Sequence, residues 1–538
     1  MNNHFDAVHD SINCLIRAVE KLPEWNRKIL EASLNEAKSA QIYWNAILKY
    51  TNEFMAPYWT ALKSFSNLEK IKALDSPPEQ TARDYLELLQ FNIQIANKGL
   101  ANTFRMASDY HSRKMYEFLA ATLNTFLASE GEDIAGYTDR QLRLLDLVVN
   151  VYPKAIRDIK AEYGFHFESG GYSKVAETDR FELYQVFPLD KAVQVREDGK
   201  PIMIVPPYVL GANILAFLPA ENKSYVHCYA NQGIPTYIRI LKDIDTTPAV
   251  QTMTGEDDAR DTRYFCEQLK ARHGRPVTLN GYCQGGFISV VNLLSGELDG
   301  LVDALITCVA PMDGTRSKSL VEYLSHLPPR FRDLGYALKT LPNGNQVVDG
   351  KVMSWVYKLK SIETEAPIFT FYRDLLMFDR SDGKPPEISK TAAAVNHWLL
   401  YDQKDIPRAI TQMSFDSYTI PVSEDGTLPV KIFGRSLNFK RLKEMGIQWL
   451  ICIGESDDLV DERASLAALD FVEAEVSVFP KGHGAIATSW SMPTSACALH
   501  SCFVHKSSRF DTTECRGPVR FQLDLQNAGN DVGYTVNG

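Results

Sequence analysis

No run of about 18 uninterrupted apolar residues, the length a membrane-crossing helix needs, occurs in this 538-residue chain. A transmembrane segment is therefore not expected. An excess of basic charge is also missing: 57 Lys and Arg stand against 67 Asp and Glu, a net charge of −10, which argues against general nucleic-acid binding. Cysteines paired at metal-ligand spacing are absent too. Cys14, Cys228, Cys266, Cys283, Cys308, Cys452, Cys497, Cys502 and Cys515 are odd in number and scattered through apolar segments, so they read as reduced thiols with no metal centre among them. The first 20 residues carry Asp6, Asp10 and Arg17 and no continuous apolar stretch, so no secretory signal is expected and the cytoplasm is the expected compartment. Proline does not occur between Pro78 and Pro153, which leaves that stretch free to form long helices.

What is present is an ordinary globular composition, 45% hydrophobic and 23% charged, on a chain longer than the roughly 250–300 residues at which single cores stop growing. Two domains are expected. Residues 1–167 read as an N-terminal helical domain. Tyr43, Ile47, Tyr50, Phe54, Tyr58, Leu62 and Phe65 form an aromatic-rich stripe, interrupted by Pro57, which either starts a new turn or kinks the helix. Met115, Leu119, Leu123 and Phe126 recur at steps of three and four. Such a stripe serves an internal packing face or a membrane, granule or partner surface, and amphipathicity alone does not separate these.

The texture changes at Glu168-Ser-Gly-Gly-Tyr172, after which strand-like runs begin at Phe181–Phe187, Ile202–Val205 and Thr236–Leu241. Thr254-Gly-Glu-Asp257 has the form of a capping box opening a helix that runs to Arg272. Strand alternating with helix implies a parallel sheet, and residues 168–507 are assigned to this α/β domain. Between about residues 312 and 440 the alternation is lost and aromatics accumulate, which reads as an inserted cap. Strands resume at Ile447–Ile453 and Val476–Phe479 with a helix around Ser465–Phe471, and residues 508–538 read as a loosely ordered tail.

The chemistry concentrates at residues 277–286, Val-Thr-Leu-Asn-Gly-Tyr-Cys-Gln-Gly-Gly. An apolar strand leads into Gly281-Tyr282-Cys283-Gln284-Gly285, and Phe287, Val290, Val291 and Leu294 follow at helical spacing. This is the nucleophile-elbow pattern with cysteine in place of serine: the nucleophile sits on a sharp strand-to-helix corner, and Gly281 and Gly285 leave room for neighbouring backbone. The bland reading of Cys283 is one more buried thiol, and the flanking glycines weigh against it. A thiol nucleophile needs a base and the base an orienting acid. Gly454-Glu455-Ser456-Asp457-Asp458 follows one later strand and Gly482-His483-Gly484 the next, giving the chain order Cys, Asp, His. The expected triad is Cys283, His483 and Asp457, with Asp458 as the alternative acid. Oxyanion donors are expected from the backbone N–H of Gln284, at a helix N-terminus that favours negative charge, and of Val209, just beyond Pro206-Pro207.

As an ordered set these residues resemble the polyhydroxyalkanoate synthases and, more distantly, the intracellular polyhydroxyalkanoate depolymerases. The resemblance runs from about Phe181 to Trp490. It rests on Ile204-Val205-Pro206-Pro207, Leu218-Pro-Ala-Glu-Asn-Lys-Ser224, Gly281-Tyr-Cys-Gln-Gly-Gly286, Asp402 followed by Ile406-Pro407, Asp457-Asp-Leu-Val460 and Gly482-His483. It implies an α/β-hydrolase fold whose cysteine links 3-hydroxyacyl groups from coenzyme A thioesters into a polyester on storage granules. It further implies no metal and no cofactor beyond that thioester substrate, and an N-terminal helical region open to a granule surface or a homodimer contact. A polyester depolymerase or thioesterase-like hydrolase of the same fold is the alternative reading, and a non-catalytic granule-associated scaffold a third. The chain departs from the synthases where they carry Trp-Arg-Asn-Pro after the strand that here ends in Arg239-Ile-Leu241. It departs again where they carry a histidine at the position of Asp458 and Pro-Trp at Asp461-Glu462. Asp458 and Asp461 are expected to make the mouth of the site acidic, and Pro311-Met-Asp-Gly-Thr-Arg316 resembles the depolymerase side.

Overall fold

The computed structural model describes residues 23–127, 130–359, 361–379, 388–479 and 481–499, except 493, 496 and 497. The first 22 residues and the tail expected at 508–538 lie outside the described residues, as do Cys14, Cys497, Cys502 and Cys515. The chain divides into two compact units. One takes the chain up to Lys63, Glu69–Asp158 and Ser361–Ser389; the other takes Ser64–Leu68, Ile159–Lys360 and the chain from Lys390 onward.

The first unit is built on two long helices, α1 (Glu24–Lys72) and α2 (Pro78–Leu127), followed by α3 (Ile134–Asp146). Pro57 lies within α1, which continues through it. The aromatic stripe of α1 has an internal target: Tyr50 and Tyr43 meet Phe371 at ring-centroid distances of 5.1 and 6.0 Å, on the helix Pro367–Phe378. The described residues within 361–389, part of the stretch expected to form the inserted cap, thus fold with the N-terminal helices. On α2 the inward face is carried by Leu88, Phe91, Ile95, Gly99 and Ala121, whereas Met115, Leu119, Leu123 and Phe126 face solvent. Gly99 leaves room for an aromatic ring: a Cβ there would lie 3.1 Å from the Phe54 ring. Asp379 accepts from Lys114 at 2.6 Å and Arg140 at 3.0 Å, closing this unit with a mostly buried ion cluster. Among the described residues, no helix is long and apolar enough to cross a membrane.

The second unit contains an eight-stranded sheet of β1 (Tyr172–Glu177), β2 (Phe181–Val186), β3 (Ile202–Val205), β4 (Thr236–Leu241), β5 (Val277–Tyr282), β6 (Val302–Cys308), β7 (Gln448–Gly454) and β8 (Glu475–Phe479). Their order is β1-β2-β4-β3-β5-β6-β7-β8; β2 runs antiparallel to both neighbours and the pairs from β4 to β8 are parallel. With helices between the parallel strands, this is the α/β-hydrolase fold. The central strands are buried on both faces, so β3 reads Ile-Met-Ile-Val with every residue buried. Helix α4 (Gly255–His273) starts at the capping box, in which Thr254 Oγ1 accepts from Asp257 N–H and the Asp257 carboxylate from Thr254 N–H. Helix α5 (Gln284–Leu294) follows β5 directly and is buried along its whole length. The helix expected around Ser465–Phe471 is a short one, Glu462–Ser465, with a single 3-10 turn, Ala467–Asp470, after it.

Because Phe371 is fully buried and meets Tyr43 and Tyr50, Phe371→Ala should destabilise the first unit by about 3–5 kcal/mol. A chain beginning at Ile159 leaves Phe371 and Leu375 without that cover and should aggregate. Thermal unfolding and light scattering read both outcomes, and a monodisperse, cooperatively unfolding truncated chain would contradict the shared core.

Candidate active site

The corner between β5 and α5 requires glycine at both flanks. A Cβ on Gly281 would fall 2.4 Å from the Gly285 carbonyl oxygen, and one on Gly285 would fall 2.1 Å from the Val205 carbonyl oxygen at the end of β3. Cys283 itself takes φ 52° and ψ −123°, a strained conformation for a side-chain-bearing residue. Its N–H donates to the Cys308 carbonyl at 2.7 Å, which pins the corner to β6. Among the described cysteines, Cys228, Cys266, Cys308 and Cys452 are buried, and Cys283 is the one with partial access to solvent. Burial pushes the Cys266 thiol far up, so that sulfur is held in its inert, protonated form.

The other two predicted residues hang from the ends of β7 and β8, whose loops touch backbone to backbone. A Cβ on Gly454 would meet the Lys481 carbonyl at 2.5 Å and one on Gly482 the Ser456 carbonyl at 2.9 Å. This contact brings Asp457 under His483: Nδ1 lies 2.8 Å from Asp457 Oδ2, while Oδ1 accepts the N–H groups of Leu459 and Val460, both at 2.9 Å. The Asp457 side chain is 1% exposed and that of His483 11%. Asp458 sits on the same turn with an exposed side chain, and the carboxylate at the imidazole is that of Asp457. The Tyr282 hydroxyl donates to the His483 carbonyl and fixes the histidine loop against the elbow.

The imidazole pKa is raised to about 10. Burial alone would lower it; the negative charge of the Cys283 sulfur, followed by the Asp457 hydrogen bond, outweighs that. The Nε2 atom is buried without a well-formed hydrogen bond, a looseness common in sites without substrate.

The expected oxyanion donors are differently placed. Gln284 N–H is first in α5 and has no intrahelical acceptor. Val209 N–H, however, is directed at the Gln284 side chain: Oε1 accepts from Val209 N at 3.3 Å and from Tyr208 N at 3.0 Å, and Nε2 donates to Ser414 Oγ at 2.5 Å. Ser414 lies on α6 (Arg408–Thr419), within the insertion between β6 and β7. Neither this amide clamp nor the Tyr282 bond was anticipated. The two variable positions of the Gly-x-Cys-x-Gly pattern were the only signal for them, and nothing marked Ser414.

Below the Pro206–Val209 loop, Arg239 donates to the Asp258 carboxylate at 2.8 and 3.0 Å, Asn292 joins at 2.6 Å, and the Tyr208 hydroxyl donates to the same carboxylate. Arg239 and Asp258 are both fully buried. The network ties the loop to β4, α4 and α5. Asp461, expected to add charge to the mouth, instead accepts the Lys318 N–H at 2.5 Å and caps the helix Lys318–Ser325. Asp313 accepts from Thr315, Arg316 and Val422 and is likewise committed to local structure. Among the described residues, no group of three His, Cys, Asp or Glu is placed to hold a metal ion.

No protein-family model matches the chain, and no curated protein matches it. Solved structures do. A carboxylesterase of the ammonia-oxidizing thaumarchaeon Nitrososphaera gargenis is 14% identical, with 59% of this chain and 92% of that one covered at a TM-score of 0.34. Naproxen esterase from Bacillus subtilis is 12% identical, with 64% and 94% covered at 0.30. The meta-cleavage product hydrolase of Pseudomonas fluorescens is 12% identical, with 57% and 88% covered at 0.30. At such identities and TM-scores these likenesses say nothing of what this chain does.

In solution His483 should stay protonated to about pH 10. Removing the sulfur charge with Cys283→Ala should bring its titration down into the ordinary histidine range near 6.5, because burial is then opposed chiefly by Asp457. Imidazole NMR titration of both proteins measures this. An unchanged titration in the variant would assign the raised value to Asp457 instead.

Proposed function

We propose that the chain is an acyltransferase of the polyhydroxyalkanoate synthase type, acting through Cys283, His483 and Asp457 on 3-hydroxyacyl-coenzyme A thioesters. The observation that carries the reading is a partly accessible cysteine on a strained, glycine-flanked corner, facing a histidine whose far nitrogen is held by a buried carboxylate. A thiol nucleophile with this support suits acyl transfer. The choice of substrate rests on the resemblance of the ordered motifs.

In this mechanism the Cys283 thiolate attacks the thioester carbonyl, and the tetrahedral oxyanion draws on the Gln284 N–H. Val209 N–H joins once the Gln284 amide turns away from it. Collapse breaks the carbon–sulfur bond to coenzyme A, whose thiolate takes the proton from the His483 imidazolium. The acylated Cys283 carries no charge, so the largest influence raising the imidazole pKa is gone. His483 is then a neutral base, able to take the proton from the hydroxyl of a second hydroxyacyl group as it attacks the acyl-enzyme. Asp457 keeps the tautomer and orientation throughout. The reaction needs no metal and no cofactor beyond its thioester substrate, and its setting is the cytoplasm at storage granules. If water replaces the hydroxyl as acceptor, the same acyl-enzyme yields a free acid, the hydrolase alternative.

Purified protein given 3-hydroxybutyryl-coenzyme A should release free thiol and form insoluble polymer. Release of monomeric acid alone would favour the hydrolase, and no release at all would leave a scaffold. Cys283→Ala should abolish turnover. Asp457→Asn should lower it by about 10³–10⁴-fold, while Asp458→Asn should change it by no more than a few-fold, roughly the effect of an exposed charge outside the triad. Full activity in the Cys283 variant, or the reverse ranking of the two aspartates, would overturn the assignment.

A further inference from the structure

The orientation of the Gln284 amide is fixed by what it meets. Tyr208 and Val209 present backbone N–H groups, which only donate, so the atom they approach at 3.0 and 3.3 Å is the amide oxygen. The amide nitrogen then faces Ser414 Oγ at 2.5 Å, and the Ser414 hydroxyl passes its own proton to the Ile410 carbonyl at 3.3 Å. Gln284 and Ser414 are both buried. Both ends of the amide are thus satisfied inside the protein.

Of the two sides of this clamp, the loop is the fixed one. Pro206 and Pro207 restrict its backbone. The Tyr208 hydroxyl donates to the Asp258 carboxylate, which is fully buried against Arg239. A Cβ on Gly285 would fall 2.7 Å from the Pro206 carbonyl oxygen, so the loop is pressed against the first turn of α5. Separation of Val209 N–H from the amide oxygen therefore falls to the flexible glutamine side chain, and what holds that side chain back is Ser414 on α6.

Resting on the acyl-transfer reading above, we propose that the Gln284 side chain is an internal competitor of the oxyanion: its amide oxygen holds the Val209 N–H that the tetrahedral intermediate needs, and Ser414 keeps it there. A thioester carbonyl is neutral, like the amide oxygen, and gains nothing by displacing it. The oxyanion carries a full charge and is the stronger acceptor. The exchange therefore takes place on the way to the transition state and adds to the barrier for acylation. Through this one hydrogen bond the position of α6 sets the acylation rate without touching the nucleophile. Gln284 and Ser414 are in this sense positioning residues: their side chains act on a donor, and the donor acts on the reacting atoms.

The test uses the full chain, native and with Gln284→Leu or Ser414→Ala, and two reagents for the same sulfur. Phenyl thioacetate acylates Cys283 with loss of thiophenol and passes through an oxyanion. Iodoacetamide alkylates it with loss of iodide and forms none. Single-turnover thiophenol release, and intact-mass spectrometry with peptide mapping, give the two rates at Cys283. Gln284→Leu should raise acylation about tenfold and Ser414→Ala, which removes one bond from the amide, about threefold, while alkylation stays within about twofold. The gain should lie in the limiting rate and leave the half-saturating thioester concentration within about twofold. Thermal unfolding identifies a variant that has not folded, and the other then decides. Acylation that is unchanged or slower while alkylation holds would overturn the inference and leave the catalytic reading standing. Equal changes in both rates would overturn it as well, because they report access to the sulfur. If neither reagent modifies Cys283 in the native protein, the catalytic reading fails and this inference fails with it.

Discussion

At the head of the sheet, the Gly285 backbone passes so close to the end of β3 that a single methyl group would fall 2.1 Å from the Val205 carbonyl oxygen. The site depends on this approach. It sets α5 against the Pro206–Val209 loop, turns Cys283 out at a positive φ, and places the first N–H of α5 beside the sulfur. A pair of further close approaches, Gly454 to Lys481 and Gly482 to Ser456, does the same for Asp457 and His483. Three backbone contacts, each available only to glycine, thus bring the ends of strands distant in sequence together.

The strain is held by polar interactions that are costly to break. Arg239 and Asp258 lie fully buried under the Pro206–Val209 loop and share Tyr208 and Asn292 as further partners. Removing one member of such a buried pair leaves a charge without compensation, a loss of about 3–5 kcal/mol. The loop that presents Val209 is thus anchored from below by this network and from above by the Gln284 amide, whose own anchor, Ser414, belongs to the insertion. Movement of α6 would therefore be felt at Gln284 and Val209 before it reached Cys283.

Much of this was legible in the residues because steric demands leave marks in sequence. Glycines at 281 and 285 and the alternation of strand and helix were enough to place the corner, β3, β4, β7 and β8 to within a residue or two. The spacing after Gly454 pointed at Asp457, and the structure brings that carboxylate to 2.8 Å from His483. Other features left no mark. The Gln284 clamp joins positions 130 residues apart, and such a bond has no periodicity to read. Asp461 looked like a free charge because the helix it caps, Lys318–Ser325, lies more than a hundred residues earlier. The joining of residues 361–389 with the N-terminal helices was equally hidden, since an apolar helix carries no address for its partner.

That joining has a consequence for synthesis. The first unit has its α1–α3 helices complete by Asp158, but the segment that covers Tyr43 and Tyr50 ends only at Ser389. At about 5–20 residues per second, a ribosome needs roughly 10–50 s to cross that interval. During it the nascent helices present an uncovered aromatic face while the first six strands of the sheet emerge. The protein is born with its amino-terminal core unfinished, and a chaperone that shields apolar helices for some tens of seconds would do more for its yield than one that acts after release.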